Sequence, residues 1–227
     1  MAYNYLDLTN EVLARMNEVA LTSSNFTASR GFQTQCKNAV NDAINYINQR
    51  EFNWPFNHTK GSQVLVAEQF AYTIPSDTKT VDYETFRLVK NESLGVEGGS
   101  LRHMDYKEYV DHYIQDEDDT STADIPRYVI RTPDNNFTLY PMPDQAYTVK
   151  FDYYKHPTQL VAFGDVPSVP ESYRQVIADG ATAYAYQYRG EQDQYSINFQ
   201  RFEAGITNMQ TILSNRMDYI RDTRIKR

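Results

Sequence analysis

The hydrophobic pattern of the sequence changes twice, and these changes constrain the fold more than any other feature. Apolar residues recur at helical spacing up to about residue 53 and again after residue 168, whereas the stretch between them resembles short β-strands. A proline marks each change. Trp54-Pro55 ends a helix, because the residue before proline is driven out of the α region, and Pro170 can open one, because the first helical turn accommodates proline.

The sequence therefore predicts an α+β fold, in which a helical bundle of two N-terminal and two C-terminal helices receives an inserted antiparallel β domain. The bundle domain comprises residues 1–53 and 168–227, and the inserted domain comprises residues 54–167. Trp54, Pro55 and Pro170 form the structural junction between them. We expect Trp54 to be buried at the insertion point, with the first two helices packed against the last two.

Two N-terminal helices are predicted from steps of three and four between apolar residues. The first runs from about Leu8 to Val19, with Asp7 or Thr9 placed to cap it. The second runs from about Ala28 to Phe52 and carries the single cysteine, Cys36, on its apolar face. A lone cysteine at such a position predicts a small buried thiol and excludes a disulfide framework.

Two C-terminal helices follow Pro170. One runs from about Glu171 to Tyr188 and ends where Gly190 can take a left-handed cap, and its small residues allow another helix to approach closely. The last helix runs from about Gln192 to beyond Tyr219 and has the strongest periodicity in the chain.

The middle of the chain predicts five to seven antiparallel strands separated by turns. They are Gln63–Val66, Phe70–Ile74, Glu84–Lys90, Ser100–His103, Arg127–Ile130, Phe137–Tyr140 and Tyr147–Tyr154. A short helix at about residues 105–115 interrupts them, and Asp105 and Glu108 have capping-box spacing at its start. The acidic stretch Gln115–Asp124 contains no basic residue and predicts a solvated loop that could order on a basic partner or a cation.

Composition narrows the classes of function. The net charge of −8 disfavours a broad nucleic-acid-binding face, which needs clustered Lys and Arg. The 19 tyrosines provide stiff contact area with a polar tip, which suits subunit interfaces and half-exposed sheet faces equally. The N-terminus lacks the basic and apolar regions of a classical secretion signal, so we expect a protein that is not exported by that route.

No catalytic, cofactor-binding or metal-binding residue is predicted. The four histidines, His58, His103, His112 and His156, lack metal-ligand spacing, and neither a glycine-rich phosphate loop nor a nucleophile elbow occurs. Pairs of carboxylates, which glycosidases use, can come from anywhere in a fold. Glu51 and Glu171 are the acids nearest the junctions, and each fits a helix end better than a catalytic role.

The last twelve residues are basic on an acidic chain. Arg216 to Arg227 holds five Arg and Lys against two Asp. This segment can be a solvated tail or a docking tail that orders on an acidic partner.

Three local patterns, together with the order of elements, resemble the head-to-tail connector or adaptor proteins of short-tailed double-stranded DNA bacteriophages, also called tail tubular protein A or gatekeeper-type adaptors. The first is the helix end Arg50 to Phe56. The second is the strand and turn Phe70 to Asp77 before Phe86 to Val89. The third is Val169 to Ile177, which opens the helix with the alanine-rich face.

This resemblance implies a structural virion protein and not an enzyme. It implies a homo-oligomeric ring, usually of twelve copies, below the portal protein in the virion neck, after synthesis in the host cytoplasm. DNA would pass through the ring without specific binding, and the β part would face a downstream tail or nozzle protein. No cofactor and no membrane are implied. The residues expected to dock on the portal are Met217, Ile220, Arg221, Arg224, Ile225, Lys226 and Arg227.

Two alternatives share part of this pattern. A head-completion or minor tail protein would have the same composition but would not dock on the portal through its last helix. A carboxylate-dependent cell-wall or glycan hydrolase would require a functional pair among the 30 acidic residues.

Overall fold

A computed structural model describes residues 3–134 and 136–213, which divide into two compact units. The helical unit contains the described residues up to Asn57 and from His156 onward, and the β unit comprises His58–Lys155. The chain thus contains helices and largely antiparallel sheets, and the predicted α+β class is confirmed. Independent folding of the units, which the predicted domain division implies, stays a prediction.

The helical unit contains four helices, and the third of these four, labelled α4 below, lies at its centre. The five helices of the described chain are α1 (Tyr5–Arg15), α2 (Phe32–Arg50), α3 (Tyr106–His112), α4 (Arg174–Arg189) and α5 (Gln192–Leu213), of which α3 belongs to the β unit. Helix α4 packs against α1, α2 and α5. Its core includes Leu8, Val12, Val40, Ile44, Ile177, Ala181, Phe202 and Ile206.

The two N-terminal helices are shorter than the periodicity suggested. Helix α1 begins earlier because Asn4 is the N-cap and its side chain accepts from Asp7 N at 2.9 Å, so the predicted caps Asp7 and Thr9 are wrong. It ends early, and Val19 lies outside it with 76% of its surface exposed. Helix α2 ends at Arg50, because the next residue has an extended backbone.

Helix α4 follows the prediction more closely, and α5 begins at Gln192 as predicted, whereas its predicted end beyond Tyr219 lies outside the described residues. Helix α4 is preceded by a 3₁₀ turn, Glu171–Tyr173, and is capped by Gly190 at φ +79°, as predicted. Its small residues bring α5 close. A Cβ added to Gly180 would lie 2.7 Å from the ring of Phe202, and one added to Gly205 on α5 would lie 2.9 Å from Val176 Cγ2.

The β unit consists of two four-stranded sheets. The strands are β1 (His58–Val64), β2 (Ala71–Thr73), β3 (Thr78–Leu88), β4 (Gly99–Ser100), β5 (Arg102–Met104), β6 (Tyr128–Arg131), β7 (Asn136–Tyr140) and β8 (Thr148–Lys155). The first sheet has the order β1-β8-β3-β4 and the second β2-β7-β6-β5. The prediction of a wholly antiparallel region is wrong at one pair, because β5 and β6 run parallel.

The two sheets form a sandwich with aromatic side chains at its centre. Phe86 and Phe151 of the first sheet stack at 4.7 Å between ring centroids, and Phe137 of the second sheet meets Phe86 edge-on at 5.2 Å. Gly61 lies over this layer, since an added Cβ would lie 2.6 Å from the Phe151 ring. The alternation predicted for the last strand is confirmed, with Val149, Phe151 and Tyr153 facing the core.

The outer face of the second sheet is covered by α3 and the residues after it. Met104, Tyr109 and Ile130 form a small separate core there, with Tyr113, Tyr128 and Tyr140 packed against it. In the described part of the β unit, α3 contacts β6 of the second sheet, and no helix of that part packs on the outer face of the first sheet. The two outer faces of the sandwich therefore present different surfaces to a partner: the second sheet presents helical segments, and the first sheet presents the side chains of its strands.

Replacing Gly180 by alanine tests the close approach of α4 and α5. Because the added methyl group must displace the Phe202 ring, we expect a loss of about 1–3 kcal/mol in the free energy of unfolding, measured with urea. Gly164→Ala is the matched control, since nothing lies within 4 Å of its added Cβ. Equal stability of the two variants would contradict the packing described.

Candidate interaction surfaces

Trp54 lies in the core of the helical unit at the point where the chain leaves α2. Its side chain has no exposed surface, its Nε1 donates to Ile47 O at 2.8 Å, and its ring stacks on Phe56 at 5.3 Å. The amide of Asn57 donates to the side-chain oxygen of Asn48, which fixes the following turn. The burial expected for Trp54 is thus observed.

The two junction prolines begin short 3₁₀ turns. Pro55 is the first residue of the turn Pro55–Asn57, and Pro170 precedes the turn Glu171–Tyr173 that leads into α4. The acids considered at these points lie at the ends of helical elements. The carboxylate of Glu51 accepts from the backbone N of Phe52 at 3.0 Å, and Glu171 lies in the turn beside Pro170.

A loop between the last strand and α4 packs on the helices. The buried side chain of Asn41 donates to Leu160 O and accepts from Leu160 N, both at 3.0 Å, and it also donates to the hydroxyl of Tyr5. Asp165 closes the loop, because its carboxylate accepts from Val161 N and Ala162 N at 2.7 Å. Residues 156–167, which the sequence assigned to the β domain, thus belong to the helical unit.

This loop presents apolar side chains to the surface. Val161, Val166 and Phe163 are exposed over 75%, 63% and 46% of their surface. Backbone bonds from Tyr5 N to Asp165 O and from Leu6 N to Phe163 O hold the loop against α1. We call Val161, Phe163 and Val166 the apolar loop. Its rigidity means that little conformational entropy would be lost on binding a partner.

The acidic stretch after α3 is partly ordered by tyrosines and is not the solvated loop that the sequence predicts. It forms the 3₁₀ turns Ile114–Asp118 and Thr120–Thr122. Tyr140 donates its hydroxyl to Asp116 at 2.8 Å, and Tyr109 donates to Glu117 at 2.9 Å. The predicted capping box is also absent, because Asp105 forms no side-chain cap bond.

Burial and these carboxylates keep the two hydroxyls protonated. Burial first, and then the bond to Asp116, raises the pKa of Tyr140 to about 12, and burial with the bond to Glu117 raises the pKa of Tyr109 further. Both remain donors at neutral pH. Tyrosine hydroxyls thus hold two of the five carboxylates in this stretch, which the charge pattern alone could not indicate.

Cys36 is the only free thiol and is fully buried. Desolvation raises the pKa of its thiol to about 12, which suppresses the reactive thiolate. The side chain acts as a small apolar residue, as predicted from its position on α2.

No cluster of three or more potential metal ligands occurs among residues 3–134 and 136–213, and within these ranges no helix is long and apolar enough to cross a membrane. The predicted portal-docking residues lie outside the described residues. The C-terminal half of α5, which precedes those residues in the sequence, buries Phe202, Ile206 and Met209, while 63% of Ile212 is exposed.

The whole-chain comparison decides the family. A family model described as SU10 adaptor protein matches residues 3–224, which is nearly the entire sequence. The chain belongs to the SU10 adaptor protein family. It is therefore a phage adaptor, a structural protein associated with the virion. A comparison with curated proteins finds no match.

No local pattern in the sequence of this family member indicates the apolar loop. The residues from Phe163 to Pro170 resemble a linker in composition, and the bond that anchors them comes from Asn41, which periodicity places on the polar face of a helix. The pairing of Asn41 with Leu160 spans 119 positions and, together with the backbone bonds from Tyr5 and Leu6, fixes the loop.

Trp54→Ala tests the junction. Removal of a fully buried indole should lower the free energy of unfolding by about 3–5 kcal/mol in urea titrations. Trp54→Phe keeps a ring beside Phe56 but loses the bond to Ile47 O, and we expect a smaller loss. An unchanged midpoint for Trp54→Ala would show that the junction does not stabilise the unit.

Asn41→Ala tests the anchoring of the apolar loop. The change leaves the N–H and C=O groups of Leu160 without their buried partner, so we expect a loss of about 1–3 kcal/mol and faster amide hydrogen exchange in the loop. Asn45→Ala, at an exposed position on the same helix, is the control. Identical exchange in the two variants would contradict the anchoring role.

Proposed function

We propose that this adaptor forms a closed ring, of twelve copies, below the portal in the neck of a short-tailed phage, and that it joins the portal to the next tail protein. In this proposal it is of the tail tubular protein A or gatekeeper type. DNA passes through the ring during ejection of the genome.

The observation that carries the proposal is the family match over residues 3–224. An adaptor must bind at least two different partners and copies of itself, so it needs several surfaces held in fixed positions. The helical unit offers such a surface in the apolar loop, where three exposed apolar side chains lie on a backbone fixed by Asn41 and Asp165. Exposed apolar side chains that are grouped in a patch are typical of interaction sites.

Charge supports the passage of DNA. The protein has a net charge of −8, and an acidic channel wall repels phosphates and lets the duplex slide. The tyrosines contribute less to subunit contacts than the composition suggested, because many of them pack inside the chain, such as Tyr5, Tyr72 and Tyr153. Tyr188, of which 61% is exposed, remains a candidate for a contact between copies.

Docking on the portal is assigned to the basic C-terminal residues, Met217 to Arg227. Apolar side chains at Met217, Ile220 and Ile225 and the charges of Arg221, Arg224, Lys226 and Arg227 would fill clefts between adjacent portal subunits. The β unit would contact the downstream tail or nozzle protein.

A truncation that lacks Met217 to Arg227 tests this function. The full chain mixed with purified portal should give a complex with the mass of a portal plus a ring of adaptors, measured by mass photometry. The truncated chain should retain its far-UV circular dichroism and unfolding midpoint but give no complex, because the proposed docking residues are gone.

A variant in which Arg221, Arg224, Lys226 and Arg227 are changed to Gln separates charge from apolar contact. It should bind portal more weakly and with less dependence on salt. Normal portal binding by the truncated chain would refute the docking assignment. Failure of the full chain to form a ring, with or without portal, would refute the proposed function.

A further inference from the structure

The outer face of the first sheet carries an unusual arrangement of positive charge. Lys150 on β8 lies directly opposite Arg87 on β3, and Lys60 on β1 lies one pair further along the sheet, opposite Asp152. Like charges placed directly opposite on neighbouring strands destabilise a sheet. Among the described residues neither Lys60 nor Lys150 forms an ion pair, whereas Arg87 forms one with Asp152, with Nη1 3.6 Å from Oδ1.

We call Lys60, Arg87 and Lys150 the basic patch. The surface beside this patch, at the C-terminal end of β1, is apolar, because Val64 and Val66 are exposed over 58% and 55% of their surface. Asp152 and Asp82 lie in the same row across the strands as Lys60, so the three cations of the patch lie beside two carboxylates and still outnumber them. A charged patch bordered by exposed apolar side chains has the make-up of a contact surface.

The opposite side of the same unit is strongly acidic. Residues 105–124 contain eight Asp and Glu against one Lys, and they lie on the outer face of the second sheet above Tyr109, Tyr140 and Ile130. We call this side the acidic face. It also has two partly exposed apolar side chains, Tyr106 at 36% and Ile114 at 40%.

The two surfaces cannot meet within one copy. They lie on opposite sides of a sandwich whose sheets are separated by a core containing Phe86, Phe137 and Phe151. The first sheet presents positive charge beside exposed valines, whereas the acidic face presents negative charge beside an exposed tyrosine and an exposed isoleucine. Opposite sides that complement one another are the requirement for a head-to-tail contact, which closes into a ring when the rotation between copies permits.

We propose that the basic patch of one copy binds the acidic face of the next copy, so that the β units form a ring of their own. This contact rests on the proposed ring function and names the partner surface within it. The bonds from Tyr109 to Glu117 and from Tyr140 to Asp116 hold part of the acidic face in position before the contact forms. Complementary charge of this kind fixes the orientation of partners and suppresses wrong ones.

Charge reversal on either side tests the contact in the full-length protein. The variant Lys60→Glu/Lys150→Glu makes both sides acidic, and Glu108→Lys/Asp111→Lys makes both sides basic; all four residues are exposed. Each variant alone should assemble at least about tenfold more weakly than the wild type, by sedimentation velocity with or without portal, because like charges then face each other. An equimolar mixture of the two should recover assembly with alternating copies.

The control Arg30→Glu/Arg201→Glu changes two exposed residues of the helical unit, alters the net charge by the same amount as Lys60→Glu/Lys150→Glu and leaves both surfaces of the β unit intact, so it should assemble like the wild type. Circular dichroism and the unfolding midpoint of every variant exclude misfolding. A wild-type ring that persists in both reversal variants, or a mixture that does not recover, would overturn this contact but leave the ring standing. A wild type that never forms a ring would instead overturn the proposed function and this contact with it.

Discussion

Packing of α4 against α1 and α2 joins two segments that are separated in sequence by the whole β unit. Closing a loop of that length costs conformational entropy, so the helices must bury a dense core to hold together. Small residues such as Gly180 and Ala181 let α4 contact helices on several sides, and Trp54 extends the core to the end of α2. The stability of the helical unit depends on this contact.

The β unit is arranged so that its insertion is compatible with that packing. It begins at His58 and ends at Lys155, and these ends lie on adjacent antiparallel strands, where His58 pairs with Tyr154. The chain therefore leaves and returns at neighbouring positions of one sheet. An insertion with adjacent ends adds a second core without separating the helices that flank it. One chain can therefore present the surfaces of two separately packed units.

Sequence patterns predicted what depends on local spacing. The helices, the cap at Gly190 and the inward face of β8 follow from periodicity and backbone preference. Sequence patterns did not predict the parallel pairing of β5 with β6, because strand partners are set by the packing of the sandwich. The cap of α1 was missed because Asn4 precedes the first apolar step. The anchoring of Leu160 by Asn41 and of Asp116 by Tyr140 joins distant positions, and neither leaves a local signal.

As a member of the SU10 adaptor family, the protein is expected to work by geometry and not by chemistry. Its polar groups hold the apolar loop and part of the acidic face in place, and its aromatic residues fill cores. The most direct measurement is a cryo-electron microscopy reconstruction of the protein bound to portal. We predict a closed ring in which the first sheet of each β unit faces α3 of its neighbour and the C-terminal residues contact portal. Isolated copies on the portal, or a ring without C-terminal contact, would contradict this mode of assembly.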